Sequence, residues 1–488
     1  MTEIIDDLCL DNPRLPLSYT QLTSINLQGC TELTTRNLHH LLARCRSLQI
    51  LSVKGLGAVT NTTCDVISNF CPQIVALNMS RCSNMDASGI QTLADAAINR
   101  QAHLLLKELR LSGLKSVTDS MMAALGKAAP YLEVLDLSYA RQLHNSALEV
   151  FVACDGDGDR IDVETVMVTA RNLGRESNDV RKLRRRVTRL RHLVLSSCLF
   201  LTDTACSNLA FSVPKLEFLE LAGLGAGLKD DGLIRLLSTT PYIRRLDLED
   251  AVDITDDVLT AITPYMDETE NIFPKAGAGE EKQPGHILQQ LNVSFAANIT
   301  DNAFLTLIRN CPCLTVLEAD STRINSIVLR EFVHLSRQRK AINARIVGID
   351  CRGIGESLVK EMSPMTRPRL GWRAYGARKL LYLDARDGNE EDLKIGQDEC
   401  DEYRIVLKSF YSWQTVDAVK AVMEKRKQSM SRRTRSDSSN EPSELEALGR
   451  SSMRWWSPSG RGTRGRGSGR TSPSPILSDL NNDGCRTM

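Results

Sequence analysis

One alternation of apolar and polar positions recurs along the chain. It is written as LTSINLQGC at Leu22, LQILSVKGL at Leu48, IVALNMSRC at Ile74, LKELRLSGL at Leu106 and LEVLDLSYA at Leu132. It resumes as LRHLVLSSC at Leu190, LEFLELAGL at Leu216, IRRLDLEDA at Ile243, LQQLNVSFA at Leu288 and LTVLEADST at Leu314. Most adjacent starts lie about 26 residues apart, inside the range of leucine-rich repeats. Positions 1, 4 and 6 of each copy are apolar. A short strand therefore sends Leu22, Ile25 and Leu27 inward and leaves Ser24, Asn26 and Gln28 facing solvent.

A polar link follows each strand: VTD at Val117, LTD at Leu201, ITD at Ile254 and ITD at Ile299. Its Thr or Asp suits a helix N-cap. Apolar residues then recur at helical spacing, as in Leu38, Leu41 and Leu42, or Leu233, Leu236 and Leu237. No repeat of this size buries its apolar face alone, so neighbours must stack. The expected fold is an α/β leucine-rich-repeat solenoid, a horseshoe with parallel strands on the concave face and helices outside. A weaker copy, ARIVGID from Ala344, extends it. The expected organisation is an N-terminal cap over 1–21 and a solenoid over 22–355, with insertions at about 153–188 and 267–286. A small α+β capping segment over 356–427 and a tail over 428–488 complete it.

The strand phrase L-x-x-L-x-L-x-x-C, the LTD link and helices ending in Cys-Pro, as at Cys71 and Cys311, resemble the cysteine-containing, RNI-like leucine-rich-repeat subclass. Within that family the subclass is found in F-box substrate receptors of cullin-based ubiquitin ligases and in proteins similar to the antagonist of mitotic exit. The similarity runs from Leu22 to Thr322. It implies a substrate-recognition component of an SCF-type ligase acting in ubiquitin-dependent protein catabolism. An F-box takes about 45 residues ahead of the repeats, whereas about 21 precede Leu22. The expectation is therefore a cullin-ligase adaptor as partner if an F-box lies upstream, or otherwise a scaffold or inhibitor outside any ligase.

The first insertion opens with DGDGDRID, where Asp155, Asp157 and Asp159 alternate as in a calcium loop. The EF-hand pattern asks for Gly at Arg160 and Glu at Val166, so a flexible solvated loop is expected instead. It closes with RKLRRRVTRLR from Arg181, which reads either as a nuclear-localisation or acidic-partner patch or as a solvated helix. NIFPKAGAGEEKQPG from Asn271 has loop composition. Beyond the repeats, YRIVLKSFY reads as a strand and TVDAVKAVMEKRK as a helix capped by Thr415, with Trp372 and Trp413 packing on the open solenoid end. From Gln428 the composition is Ser, Arg, Gly and Pro, which cannot repay folding entropy, so disorder is expected. GRGTRGRGSGR from Gly460, with Trp455 and Trp456, resembles an RG motif. The run is too short to favour RNA binding over a flexible tail. Ser457, Ser472 and Ser474 stand beside prolines as candidate phosphate acceptors.

Composition changes this picture little. With 42% hydrophobic and 25% charged residues and a net charge of +1, no global field recruits nucleic acid or membrane. MTEIIDDLCL lacks the features of a secretory signal, and no run of apolar residues reaches membrane-spanning length. The expected location is cytoplasmic and/or nuclear. The 14 cysteines are scattered, which favours reduced thiols. Cys30, Cys82 and Cys198 share one repeat position and Cys45, Cys71 and Cys311 another, both expected to be buried. His39, His40, His103 and His192 share no catalytic phrase with Cys or Ser, Cys311 and Cys313 lack zinc spacing, and no phosphate-binding glycine loop occurs. No enzyme activity, metal or cofactor is expected.

Equivalent strand positions then outline the expected partner-binding face. One ladder runs Asn26, Ser52, Asn78, Arg110, Asp136, Val194, Glu220, Asp247, Asn292 and Glu318. The next runs Gln28, Lys54, Ser80, Ser112, Ser138, Ser196, Ala222, Glu249, Ser294 and Asp320. Glu220, Asp247, Glu249, Glu318 and Asp320 make the later half acidic, which suits a protein partner with a basic segment.

Overall fold

A computed structural model describes residues 19–154, 164–175, 182–265, 283–367 and 403–411. Expectations for the first 18 residues, Asp155 to Arg160, most of the second insertion, Trp372, Trp413, Thr415 and the tail from 428 fall outside these residues. Each repeat phrase forms a three-residue strand: Ser24–Asn26 (β1), Ile50–Ser52 (β2), Ala76–Asn78 (β3), Glu108–Arg110 (β4) and Val134–Asp136 (β5). Thr165–Thr169 (β6) and Lys182–Arg186 (β7) follow, then His192–Val194 (β8), Phe218–Glu220 (β9) and Arg245–Asp247 (β10). Gln290–Asn292 (β11), Val316–Glu318 (β12), Arg345–Gly348 (β13), Thr366–Arg367 (β14) and Ile405–Ser409 (β15) complete the strands. All but β6 and β7 join one 13-stranded sheet, ordered β1-β2-β3-β4-β5-β8-β9-β10-β11-β12-β13-β15-β14.

The pairings are parallel and in strict register, so one apolar residue per strand stacks on the next. Ile25, Leu51, Leu77, Leu109, Leu135 and Leu193 form this column, which continues through Leu219, Leu246, Leu291, Leu317, Ile346 and Leu407. Every member is buried. The helices return their apolar stripes to this column: Leu38, Leu41 and Leu42 from Thr35–Arg44 (α1), and Leu233, Leu236 and Leu237 from Asp230–Ser238. Strands pack about 4.8 Å apart and helices about 8–10 Å apart, so the stack bends toward the strands and the sheet face is concave. The chain is a leucine-rich-repeat solenoid. Leu22 departs from the expected inward set: it is 41% exposed, at the end of the stack where no rung lies beyond β1 among the described residues.

The link residues divide their work. Thr118, Thr202 and Thr255 cap their own helices, accepting the N–H of Met121, Thr204 and Asp257. The Asp at the helix start reaches the next repeat instead. Asp230 accepts Thr255 N–H and Oγ1–H at 2.9 and 2.7 Å, and Asp256 accepts the same groups of Thr300 at 2.7 and 2.6 Å. A cap that also joins two repeats makes each helix start depend on its neighbour.

The cysteines act as small buried donors. The thiols of Cys82, Cys198 and Cys351 donate to the carbonyls of Val53, Leu137 and Ala319 in the preceding repeat, at 3.3, 3.2 and 3.1 Å. Cys71 and Cys311, ending their helices, donate to Leu42 and Ile262 at 3.4 and 3.8 Å. Cys30, in the first repeat, is only half-buried.

The first insertion does not hold its basic run as a solvated helix. Its β6 and β7 pair antiparallel as a ribbon docked on the solenoid. Burial along β7 decides the outcome: Lys182, Leu183 and Arg184 are exposed while Arg185 is 3% exposed and Arg186 also buried. Arg185 donates to the carbonyl of Asn208, near the end of Asp203–Leu209, and Arg186 to that of Phe151, near the end of Asn145–Val152. Two arginines of the basic run thus satisfy carbonyls at two adjacent helix C-termini.

Candidate protein-binding face

The central residue of each strand points into the core and the two flanking residues point out. The third strand residue therefore carries the first expected ladder, and Asn26, Asn78, Arg110, Asp136, Glu220, Asp247, Asn292 and Glu318 align across neighbouring strands. Five of them also cap the turn that follows. Asn26, Asn78, Asp136, Asp247 and Asn292 each accept, on Oδ1, the N–H two residues on, at 3.0–3.3 Å. A short acceptor at that place turns the chain away from the sheet.

The second ladder is less open than its polarity suggests. Ser80, Ser112, Ser138 and Ser294 are buried rather than solvent-facing. A hydroxyl so placed stitches repeats: Ser80 Oγ accepts Ser112 N–H at 3.3 Å and Ser294 Oγ accepts Asp320 N–H at 3.2 Å. Glu249 and Asp320, on the same ladder, are half-buried.

A third outward ladder is the first residue of each strand, the position that puts Ser24 outward in the first repeat. It holds Glu108, His192, Phe218, Arg245 and Arg345. These residues change the charge of the face. Arg345 pairs with Glu318, and Arg245 Nη2 lies 3.4 Å from Glu220 and 3.8 Å from Asp247. Arg110 pairs with Glu108 at 2.5 Å along one strand. His192 Nε2 lies 3.8 Å from Glu220, a separation at which the attraction is coulombic rather than a hydrogen bond. His192, then burial in opposition, then Arg245 set the balance that holds the Glu220 carboxyl below the usual carboxylate range.

The acidic character of the later half therefore rests on fewer residues than the sequence count. Among the described residues neither Glu249 nor Asp320 has a salt-bridge partner. Burial pushes the Asp320 carboxyl up, and Glu318 and Glu249 push the same way against the Ile349 N–H that it accepts at 2.7 Å and against the charge of Lys408. Burial likewise raises Asp247, with Glu220 and Glu249 adding to it against the Glu249 N–H and Arg245. Asn292 Nδ2 donates to Asp247 at 3.0 Å and to Glu249 at 3.4 Å, bridging the two acids without cancelling their charge.

Four of the expected residues, Arg110, Asp136, Glu220 and Glu249, gather with Tyr139 and His192 around one hollow of about 490 Å³ on this face. Asn26, Asn78, Asp247, Asn292, Glu318 and Asp320 lie on the ladders outside its lining. No family model matches the chain. Among solved structures it is similar to a chain from the crystal structure of the Rad7 and Elc1 complex in yeast, at 18% identity over 73% of this chain and 85% of that one, with a TM-score of 0.45. The strand register itself carries the assignment to leucine-rich-repeat solenoids.

The histidines weighed for catalysis have structural neighbours. His39 Nε2 lies 3.0 Å from Thr63 Oγ1, and His103 meets the Tyr131 ring edge-on. Burial pushes the thiols of Cys64, Cys71, Cys198, Cys206 and Cys311 up to about 12, which disfavours the thiolate a nucleophile needs. Among the described residues no group of three or more His, Cys, Asp or Glu is placed to hold a metal, and no helix is long and apolar enough to cross a membrane.

Proposed function

We propose that the chain is a non-catalytic protein-binding solenoid whose concave face takes a basic segment of a partner, working in the cytoplasm and/or nucleus. One observation carries this reading: Glu249 and Asp320, with no salt-bridge partner among the described residues, crowd beside Asp247 on one half of the face, where burial and repulsion from neighbouring carboxylates disfavour the charges of Asp247 and Asp320. A partner's Lys or Arg would relieve both costs at once. Glu249→Lys tests it, because that side chain accepts only the 3.4 Å contact from Asn292 and caps no strand end. Crosslinking mass spectrometry on tagged full-length chain should lose crosslinks from basic partner peptides to the later half, with the fold intact by circular dichroism. Unchanged crosslinks refute the basic-segment reading.

Within that reading, the chain acts as the substrate-recognition component of a cullin-based ubiquitin ligase, on the strength of its cysteine-containing repeat pattern. Co-purification of a cullin adaptor with the tagged full-length protein is the expected result. Its absence, with the basic partner still captured, assigns the protein to scaffolds or inhibitors that use the same face.

A further inference from the structure

The turn after each strand is built to one plan, and its eighth phrase position has a left-handed backbone in successive repeats. Gly29, Gly55, Gly113 and Gly223 take it at φ of 85°, 77°, 77° and 72°. Elsewhere a side-chain-bearing residue is forced into it, including Tyr139 at 61° and Phe295 at 69°. The sheet leaves no choice. The N–H of this residue donates to the next repeat, from Tyr139 to the Ser196 carbonyl and from Phe295 to the Asp320 carbonyl, both at 2.8 Å. Gly113 and Gly223 make the same bond to Ser138 and Glu249 at 2.7 and 2.9 Å.

Glycine adopts this conformation without penalty, whereas a bulky L-residue is strained in it. Tyr139 and Phe295 do not recover that strain by burial, since they are 55% and 42% exposed. Strain held in place by surrounding structure, at a side chain the core does not use, marks a functional position. Leu199 and Phe200, which stacks on His144, stand exposed two and three residues after Ser197 at this position, and Val252 two residues after Asp250. In the first four repeats the matching positions are Gly29, Gly55, Arg81 and Gly113, followed by polar residues such as Glu32, Asn84 and Lys115. Exposed apolar side chains at or just after this position thus begin at the fifth repeat, where Tyr139 borders the hollow, and end at Phe295, whose N–H meets the Asp320 carbonyl, with Arg141, Ser197, Gly223 and Asp250 interspersed.

We infer that Tyr139 and Phe295, with Leu199, Phe200 and Val252 between them, form the apolar half of a composite surface for an extended basic segment that also carries aromatic or aliphatic side chains. Its cations seat on Glu249 and Asp320 and its apolar groups on the rim. The inference rests on the concave-face reading above and specifies the partner's second chemistry. Its span follows from topology: four strand spacings separate β5 from β11, about 19 Å, which about six extended residues cover.

The test uses full-length protein and two labelled peptide pools of about twelve residues, matched in charge. One mixes Lys and Arg with Ser; the other replaces half the Ser with Leu and Trp. Fluorescence anisotropy should show the apolar pool binding about tenfold more tightly. Tyr139→Gly with Phe295→Gly should remove that preference while holding or raising Tm, because glycine relieves the turn. A preference that survives this pair, or a Tm that falls, overturns the composite surface. Glu249→Gln with Asp320→Asn should weaken both pools. If both bind this variant as they bind the wild type, the acidic-face reading fails whatever the rim variants do. If neither pool binds the wild type, both ideas fall.

Discussion

Arginine 185 offers a test of whether the basic run is structural or addresses a partner. Replacing it with Ala removes the donor to the Asn208 carbonyl, and Asn208 is itself buried. A buried carbonyl left without a donor costs about 1–3 kcal/mol. Losing the buried alkyl stem beyond Cβ, two methylenes at about 0.8 kcal/mol each, adds about 2 kcal/mol. The larger penalty for stranding a buried charge does not apply, because Glu149 keeps Arg175 at 2.6 Å when the 3.6 Å contact to Arg185 is lost. The expected destabilisation of Arg185→Ala is therefore about 3–5 kcal/mol. Arg185→Met keeps most of the stem and should recover about 2 kcal/mol of it. Lys182→Ala with Arg184→Ala should cost under about 0.5 kcal/mol, since both side chains are exposed. Urea unfolding followed by circular dichroism gives the ranking, and hydrogen exchange over 165–186 and 203–209 locates it. The reasoning fails if Arg185→Ala lies within about 0.5 kcal/mol of wild type, or if the exposed pair costs as much. The exposed pair also tests nuclear targeting, because only outward cations can meet an import receptor. Nuclear accumulation unchanged in Lys182→Ala with Arg184→Ala removes these two cations from that role.

Two further outcomes follow from the same geometry. A carboxyl raised in the fold gives stability below its unfolded pKa and loses it as pH rises through the folded value, so Asp320→Asn should gain a few tenths of a kcal/mol at pH 7 after solvent screening. That gain should shrink toward pH ~4 in paired melts, and a loss at pH 7 contradicts the burial argument. Maleimide at pH 8 should modify exposed Cys313 in the native state and reach Cys64, Cys71, Cys198, Cys206 and Cys311 only on unfolding, and peptide mapping that finds the buried set modified natively refutes their assignment.

The repeat was legible because its period is set by backbone geometry: a one-residue slip would have exposed the whole Ile25 to Leu407 column. The ladders followed from that register, and so did the alignment of Asp247 with Glu220 and Asn292. The accounting of charge did not. Seeing that Arg245 and Arg345 discharge Glu220 and Glu318 requires reading the first strand residue as outward too, a signal present in every phrase. The ribbon was harder. RKLRRR exposes its one apolar residue, Leu183, and buries Arg185 and Arg186, so no hydrophobic period separates Arg184 from Arg185. The usable cue lay in its partner, TVMVT, whose β-branched residues favour a strand. The burial of the second-ladder serines was hidden for a different reason: serine faces solvent or a carbonyl with equal ease, and only its neighbours decide.

Elsewhere in the later repeats, several glutamates are matched. Glu217 is paired with Arg191 and with Arg244 at 3.5 Å, Glu331 with Arg309 at 2.7 Å, and Glu361 with Arg330 at 2.7 Å. Helix ends are matched as well, since Arg339 donates to the carbonyls of Ile308, Arg309 and Cys311, each at 3.0 Å. A chain that supplies arginine to carboxylates and carbonyls along its rim and back has the means to neutralise Glu249 and Asp320, yet puts Ser196, Ala222 and Ser294 beside them on the same ladder. Small residues there leave room as well as charge. Open space, two acids without a salt bridge among the described residues and exposed strained aromatics coincide over β5 to β12. Stability alone would remove each of them, whereas a bound cationic segment would use all three.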